Sequence, residues 1–158
     1  VEGKVAYLSL VQLQAGVTWQ KSHYTRPEKW SKDSSVPAEK RLFRTPDWYG
    51  YFTATYSPVK PLNIALSGTY TGSMIVQHMK GYIPKDIAVT TPDFFDMNLK
   101  ISYDFSLYKF ITLQLNAGIQ NIFNAYQRDF DQGKERDSGY IYGPSMPRSY
   151  FAGAKLMF

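Results

Sequence analysis

The chain has 158 residues, a formal net charge of +5, thirteen Tyr, ten Phe and no Cys, and its mean hydropathy is negative at -0.35. No stretch approaches the eighteen or so consecutive apolar residues of a membrane helix, which excludes a helical membrane protein, and the lack of cysteine excludes disulfides and thiolate metal sites. Basic residues are interleaved with acidic ones, as between Arg128 and Asp137, so no phosphate-binding stripe forms and nucleic acid is not an expected partner.

Six segments alternate apolar and polar residues with a period of two, the mark of strands with one wet and one apolar face. The first runs from Val5 to Gln20 with its apolar side at the odd positions, and the second from Pro46 to Tyr56 with Trp48, Phe52, Ala54 and Tyr56 on one face. The third sets Leu62, Ile64, Leu66, Gly68, Tyr70, Gly72, Met74 and Val76 against Asn63, Ser67, Thr69 and Thr71. In the fourth, Phe95 to Phe105 at the odd positions alternate with Asp96, Asn98, Lys100, Ser102 and Asp104, a set too polar for a dry core. Ile111, Leu113, Leu115, Ala117 and Ile119 mark the fifth, and Tyr150, Ala152, Ala154, Leu156 and Phe158 the last.

Short and long connections take turns along the chain. Ser57 to Pro61 and Ser106 to Lys109 read as tight turns, whereas about 23–43, 77–92 and 125–146 are longer than hairpin loops. Up-and-down strands with short turns at one end and long loops at the other predict an all-β, antiparallel transmembrane β-barrel. Aromatic girdles are expected at both ends: Trp19, Tyr24, Trp48, Tyr49 and Tyr51 toward the loops, and Tyr56, Tyr103, Phe105, Tyr108 and Phe110 toward the turns. The competing fold is a soluble β-sandwich, in which the same faces would cover each other. Six strands are too few to close a single-chain barrel, which needs about eight, and the chain opens at Val1 rather than Met, so residues 1–158 are expected to be one portion of a longer barrel domain.

Two motifs carry a resemblance. Gly118-Ile-Gln-Asn-Ile-Phe-Asn124, with Gly118, Asn121, Phe123 and Asn124, resembles the Gly-x-x-Asn-Leu-Phe-Asn signature near the end of TonB-dependent outer-membrane receptors, with Ile122 in place of Leu. Arg148 and Tyr150 look like that family's Arg-x-Tyr entry to the closing strand, and Phe158 like its terminal aromatic. The stretch from Tyr140 to Pro144 is similar to a loop of Bacteroidetes members. The resemblance implies the last six strands or so of a twenty-two-stranded barrel in the bacterial outer membrane, with the long loops outside the cell. It implies import of a scarce ligand of siderophore-iron, haem, cobalamin or glycan class. The implied partners are outer-membrane lipid, the plug and earlier strands of the same receptor, TonB through an N-terminal part, and the barrel-assembly machinery, for which Tyr150, Leu156 and Phe158 would be the signal. A porin-like barrel is the alternative within the membrane.

On the polar face, Gln114, Asn116, Asn98, Lys100, Ser67 and Thr69 would look into the lumen. In the loops, Trp30, Tyr126, Arg128, Arg136, Tyr140 and Tyr142 pair aromatic faces with cations, a mixture suited to planar or anionic ligands. His23 and His78 could ligate a metal but have no partners at ligand spacing, so no metal or other cofactor is expected. No catalytic constellation is legible: Asp96 and Asp104 are eight residues apart, on the order of 26 Å along one strand, and no enzyme activity is expected.

Overall fold

The computed structural model describes residues 1–158. It contains eleven strands and no helix: β1 (Glu2–Tyr7), β2 (Val11–Trp19), β3 (His23–Glu28), β4 (Glu39–Arg41), β5 (Trp48–Val59), β6 (Leu62–Thr71), β7 (Ile75–His78), β8 (Ile87–Thr90), β9 (Phe94–Tyr108), β10 (Ile111–Gln120) and β11 (Ser149–Met157). Seven of them form one sheet in the order β1-β2-β5-β6-β9-β10-β11, every neighbour antiparallel. The sheet is open, with β1 and β11 as its edges, and β3-β4 and β7-β8 form two small hairpins outside it.

The first segment is thus two strands, where the sequence suggests one. Tyr7 pairs with Val11 around a three-residue turn in which Leu8 takes a positive φ of 51°. A turn of that length preserves parity, so Val5 and Tyr7 share a face with Leu13 and Val11 and the odd-position alternation runs through the turn unbroken. The third segment also ends early. β6 stops at Thr71, and Met74, Ile75 and Val76 leave the sheet to become buried in the loops.

Register puts every apolar set on one side. Leu13, Ala54, Leu66, Leu99, Ile119 and Tyr150 follow one another from strand to strand, as do Ala15, Phe52, Gly68 and Met97. Opposite them lie Gln14, Thr53, Ser67, Asn98, Gln120 and Ser149. The alternation assigns Tyr49 and Tyr51 to this polar side, because they pair with Thr18 and Gly16, so they are not part of an apolar-face girdle; Tyr24 lies on β3, outside the main sheet. Trp19 and Trp48 do meet on the apolar side at the long-loop end, 6.1 Å apart, and Phe95 bridges Phe52 at 6.4 Å and Phe123 at 5.6 Å. Tyr103 and Phe105 meet at the short-turn end, 4.6 Å apart.

Aromatic rings also fill the gaps that glycines leave between strands. Tyr51 lies across Gly16, Phe52 across Gly68 and Phe151 across Gly118, each ring on its directly registered partner. Such pairing covers backbone that a glycine would leave bare and fixes register.

Nothing in the chain covers the apolar side. Val5, Val17, Trp19, Ile101, Leu115, Tyr150 and Leu156 are all exposed, and only thirteen of 158 residues are buried. The accessible surface is 11088 Å², against about 8,100 Å² for a compact monomer of this mass.

Candidate functional site

The short turns lie at one end of the sheet, and three long connections, residues 20–47, 72–93 and 121–148, gather at the other. We call them loops 1, 2 and 3. The small hydrophobic core of the molecule is here: Met74, Val76 and Tyr140, with Val89 and Tyr142 packed on them.

Polar ties between loops are dense. Arg44 of loop 1 adopts a positive φ of 58°, donates its backbone N–H to Ile75 at 2.8 Å, and sends its guanidinium to the carbonyls of Ile141, at 2.8 Å, and Gly139. Ser31 donates to Asp86 at 2.5 Å, joining loops 1 and 2, and Met79 N–H donates to Asp137 at 2.8 Å, joining loops 2 and 3. His78 is the densest junction. Its Nε2 stands 2.9 and 3.0 Å from the two oxygens of Asp131, and its ring stacks on Tyr140 at 3.7 Å with 8° between planes. Both His78 and Asp131 are nearly inaccessible, so water competes poorly for this contact.

Within loop 3 the fully buried Gln127 replaces missing secondary structure. Its amide donates to the Tyr140 carbonyl at 3.1 Å and accepts from Tyr142 N–H at 2.9 Å. Asp129 accepts both phenols, Tyr142 at 2.6 Å and Tyr140 at 2.8 Å. Burial pushes the Asp129 carboxyl up, but the hydrogen bonds it accepts, those from the Tyr142 and Tyr140 phenols foremost, together outweigh burial and hold the group below its ordinary value. Burial, with Asp129 next, raises the Tyr140 phenol strongly and the Tyr142 phenol to about 12.

The six loop residues singled out by their chemistry do not gather into one site, although Tyr140 meets Tyr142 at 5.3 Å on Asp129 and Arg128 meets Tyr126. Tyr140 is buried in the loop core and Tyr142 is half-buried against Phe94 and Asp129, so both are committed to packing. Arg136 bonds the carbonyl of Gly133 in its own turn. Arg128 covers the Tyr126 ring at 5.0 Å, a self-satisfied cation–π pair on the surface. Trp30 lines an open cleft formed by loops 1 and 2. The structural residues His78, Asp131, Gln127, Asp129 and Arg44 carried no spacing signal, because their partners lie at irregular separations of 6 to 97 positions in the chain. No group of three or more His, Asp or Glu residues is assembled to hold a metal ion.

The motif residues form the exit from β10. Asn121 and Asn124 adopt positive φ values of 51° and 55°. The Asn121 amide donates to the carbonyls of Ala125 and Met146 and accepts from Ala125 N–H, while Asn124 accepts from the backbone N–H of Arg148 at 2.9 Å. One asparagine therefore closes the turn and the other aligns the start of β11. Asn combines tolerance of the left-handed region with a side chain that bonds backbone, which few residue types do. Phe123 emerges on the apolar side and stacks on Phe95. Tyr150 and Leu156 are exposed on that same side, registered with Ile119 and Leu113, and Phe158 follows the end of β11.

Comparison with protein-family models, curated proteins and solved structures found no match.

Proposed function

We propose that residues 1–158 form part of the wall and the external loop cap of a TonB-dependent outer-membrane transporter, importing a ligand of siderophore-iron, haem, cobalamin or glycan class. The observation that carries this reading is the apolar face itself: it is continuous over seven strands, uncovered, backed by a polar face, and flanked by aromatics at both ends. A soluble sandwich would bury that face against a second sheet, whereas hydrocarbon lipid covers it without one. Strand length agrees, since the nine residues of β11 span about 30 Å at about 3.3 Å each.

The open edges fit the same reading. Seven antiparallel strands leave β1 and β11 running parallel, so an all-antiparallel barrel closes only by adding an odd number of further strands. Those strands and the plug would belong to the rest of the receptor, the plug facing Ser67, Asn98, Lys100 and Gln114. TonB acts through a separate segment, and the assembly machinery reads Tyr150, Leu156 and Phe158. The chain has no catalytic role. Another type of outer-membrane barrel would present the same sheet; the Asn121 and Asn124 turn favours the receptor.

The full-length protein, expressed in a Gram-negative host, should fractionate with the outer membrane, need detergent for extraction, and support ligand accumulation only when TonB is present. A protein that stays monodisperse in buffer overturns the membrane reading, and TonB-independent conductance moves it to a porin-like barrel.

A further inference from the structure

Loops 1 and 2 enclose a cleft of about 560 Å³ lined by Trp30, Lys32, Asp33, Met79, Lys80 and Asp86, within the size range of small-molecule sites, about 300–1,000 Å³. Its polar groups divide into spent and unspent. Asp33 accepts from Ser35 N–H at 2.9 Å; the buried Asp86 accepts from Ser31 at 2.5 Å and from the backbone N–H of Lys80 at 2.7 Å. Lys32 and Lys80 are exposed and neither approaches a carboxylate within 4.0 Å, although the Lys80 charge acts at longer range on Asp33 and Asp86. Trp30 is fixed in place: its indole N–H donates to the Pro37 carbonyl at 3.1 Å, and Phe43 meets its ring edge-on at 5.3 Å. The thioether of Met79 offers a second soft apolar surface.

What remains free is an immobilised aromatic ring, a thioether and two cations. A flat ring gains stacking area on Trp30 at little entropic cost, because the indole is already ordered. An acidic group on that ring would meet the two ammonium groups. The two carboxylates keep the cleft close to neutral, which disfavours a polyanion such as a nucleoside triphosphate. We propose that this cleft binds a planar aromatic carboxylate, the ring on Trp30 and Met79 and the carboxylate between Lys32 and Lys80. The assignment rests on the reading of the loops as the external, ligand-meeting end, and gives that end a ligand chemistry.

The test is binding of 2-naphthoate to the full-length protein in lipid nanodiscs, with empty nanodiscs subtracted for partitioning. Wild type should bind 2-naphthoate at least tenfold more tightly than neutral 2-naphthalenemethanol. Lys32→Gln with Lys80→Gln should remove that preference, Lys32→Arg with Lys80→Arg should restore it, and Trp30→Ala should weaken both probes at least tenfold. Equal affinity for the two probes, or variants that bind as wild type does, overturns the proposal. The outcomes separate from those of the transporter reading. A membrane-embedded protein that ignores naphthoate loses only the cleft, whereas a detergent-free soluble protein that binds with this dependence on lysine and tryptophan loses only the transporter.

Discussion

The Phe151 ring lies across Gly118, its registered partner on β10, and a Cβ at position 118 would collide both with that ring and with the Leu99 carbonyl on the other side. A ring can rotate away; a carbonyl in the β9-β10 ladder cannot move without breaking register. At Gly16 the nearest obstruction is only the edge of Tyr51, 2.7 Å away. Gly118→Ala should therefore destabilise the sheet by about 1–3 kcal/mol, and Gly16→Ala by clearly less. Loss of the folded band on unheated electrophoresis reports both, and equal effects would show that the Leu99 carbonyl is not what requires glycine at position 118.

Phe158 is almost fully exposed and follows β11 at the short-turn end, where packing within the chain gives it no role. On the transporter reading, Phe158→Ala in the full-length protein should lower its outer-membrane level while leaving the thermal stability of the molecules that do assemble unchanged. Unchanged abundance removes the assembly role from Phe158.

Asp131 holds two donors, His78 and the backbone N–H of Asp137. Asp131→Ala strands both in a buried setting, at about 1–3 kcal/mol each. Hydrogen exchange should accelerate at Met79, Asp137 and Tyr140, while amides in β9 and β10 keep their protection. Exchange that rises equally in the sheet would show that the loops and sheet open as one unit.

The Asp129 pair with Tyr142 sets a pH window for the cap. Folding holds Asp129 ionised, so its contribution is complete above the ordinary carboxylate range and is lost as pH falls below about 4. Folding holds Tyr142 protonated, so that contribution is complete below about pH 10 and is lost as pH rises through about 12. Phenolate absorbance, taken as the difference from Tyr142→Phe, should titrate near 12 in the wild type. In Asp129→Asn it should titrate lower, because only burial then opposes ionisation. A wild-type midpoint near the ordinary phenol value, about 10, contradicts the contact.

The sheet was legible because each of its strands carries one polar and one apolar face, so a period of two marks every main-sheet strand. The β1-β2 turn was hidden by that same regularity, since three turn residues leave parity intact. Met74 and Val76 continue the β6 alternation yet belong to the loop core, a tertiary choice that the pattern does not encode. The loop chemistry was legible only as composition. Tyr140 and Trp30 look alike in sequence, but one is stacked on His78 and the other lines a cleft, and the difference lies in contacts made from distant loops.

In the proposed transporter one face of this sheet meets lipid and the other does not. Residues 1–158 contain no cysteine, so, once any cysteine elsewhere in the full-length protein is replaced, single nitroxide labels can be placed along β9 and β10, at Leu99, Lys100 and Ile101, and at Leu115, Asn116 and Ala117, in that protein reconstituted into bilayers. Collision with oxygen, which concentrates in hydrocarbon, should be high at Leu99, Ile101, Leu115 and Ala117 and low at Lys100 and Asn116. Collision with a water-soluble nickel chelate should not rise at the apolar positions. Oxygen accessibility without that alternation, or apolar positions freely reached by the chelate, would contradict the account.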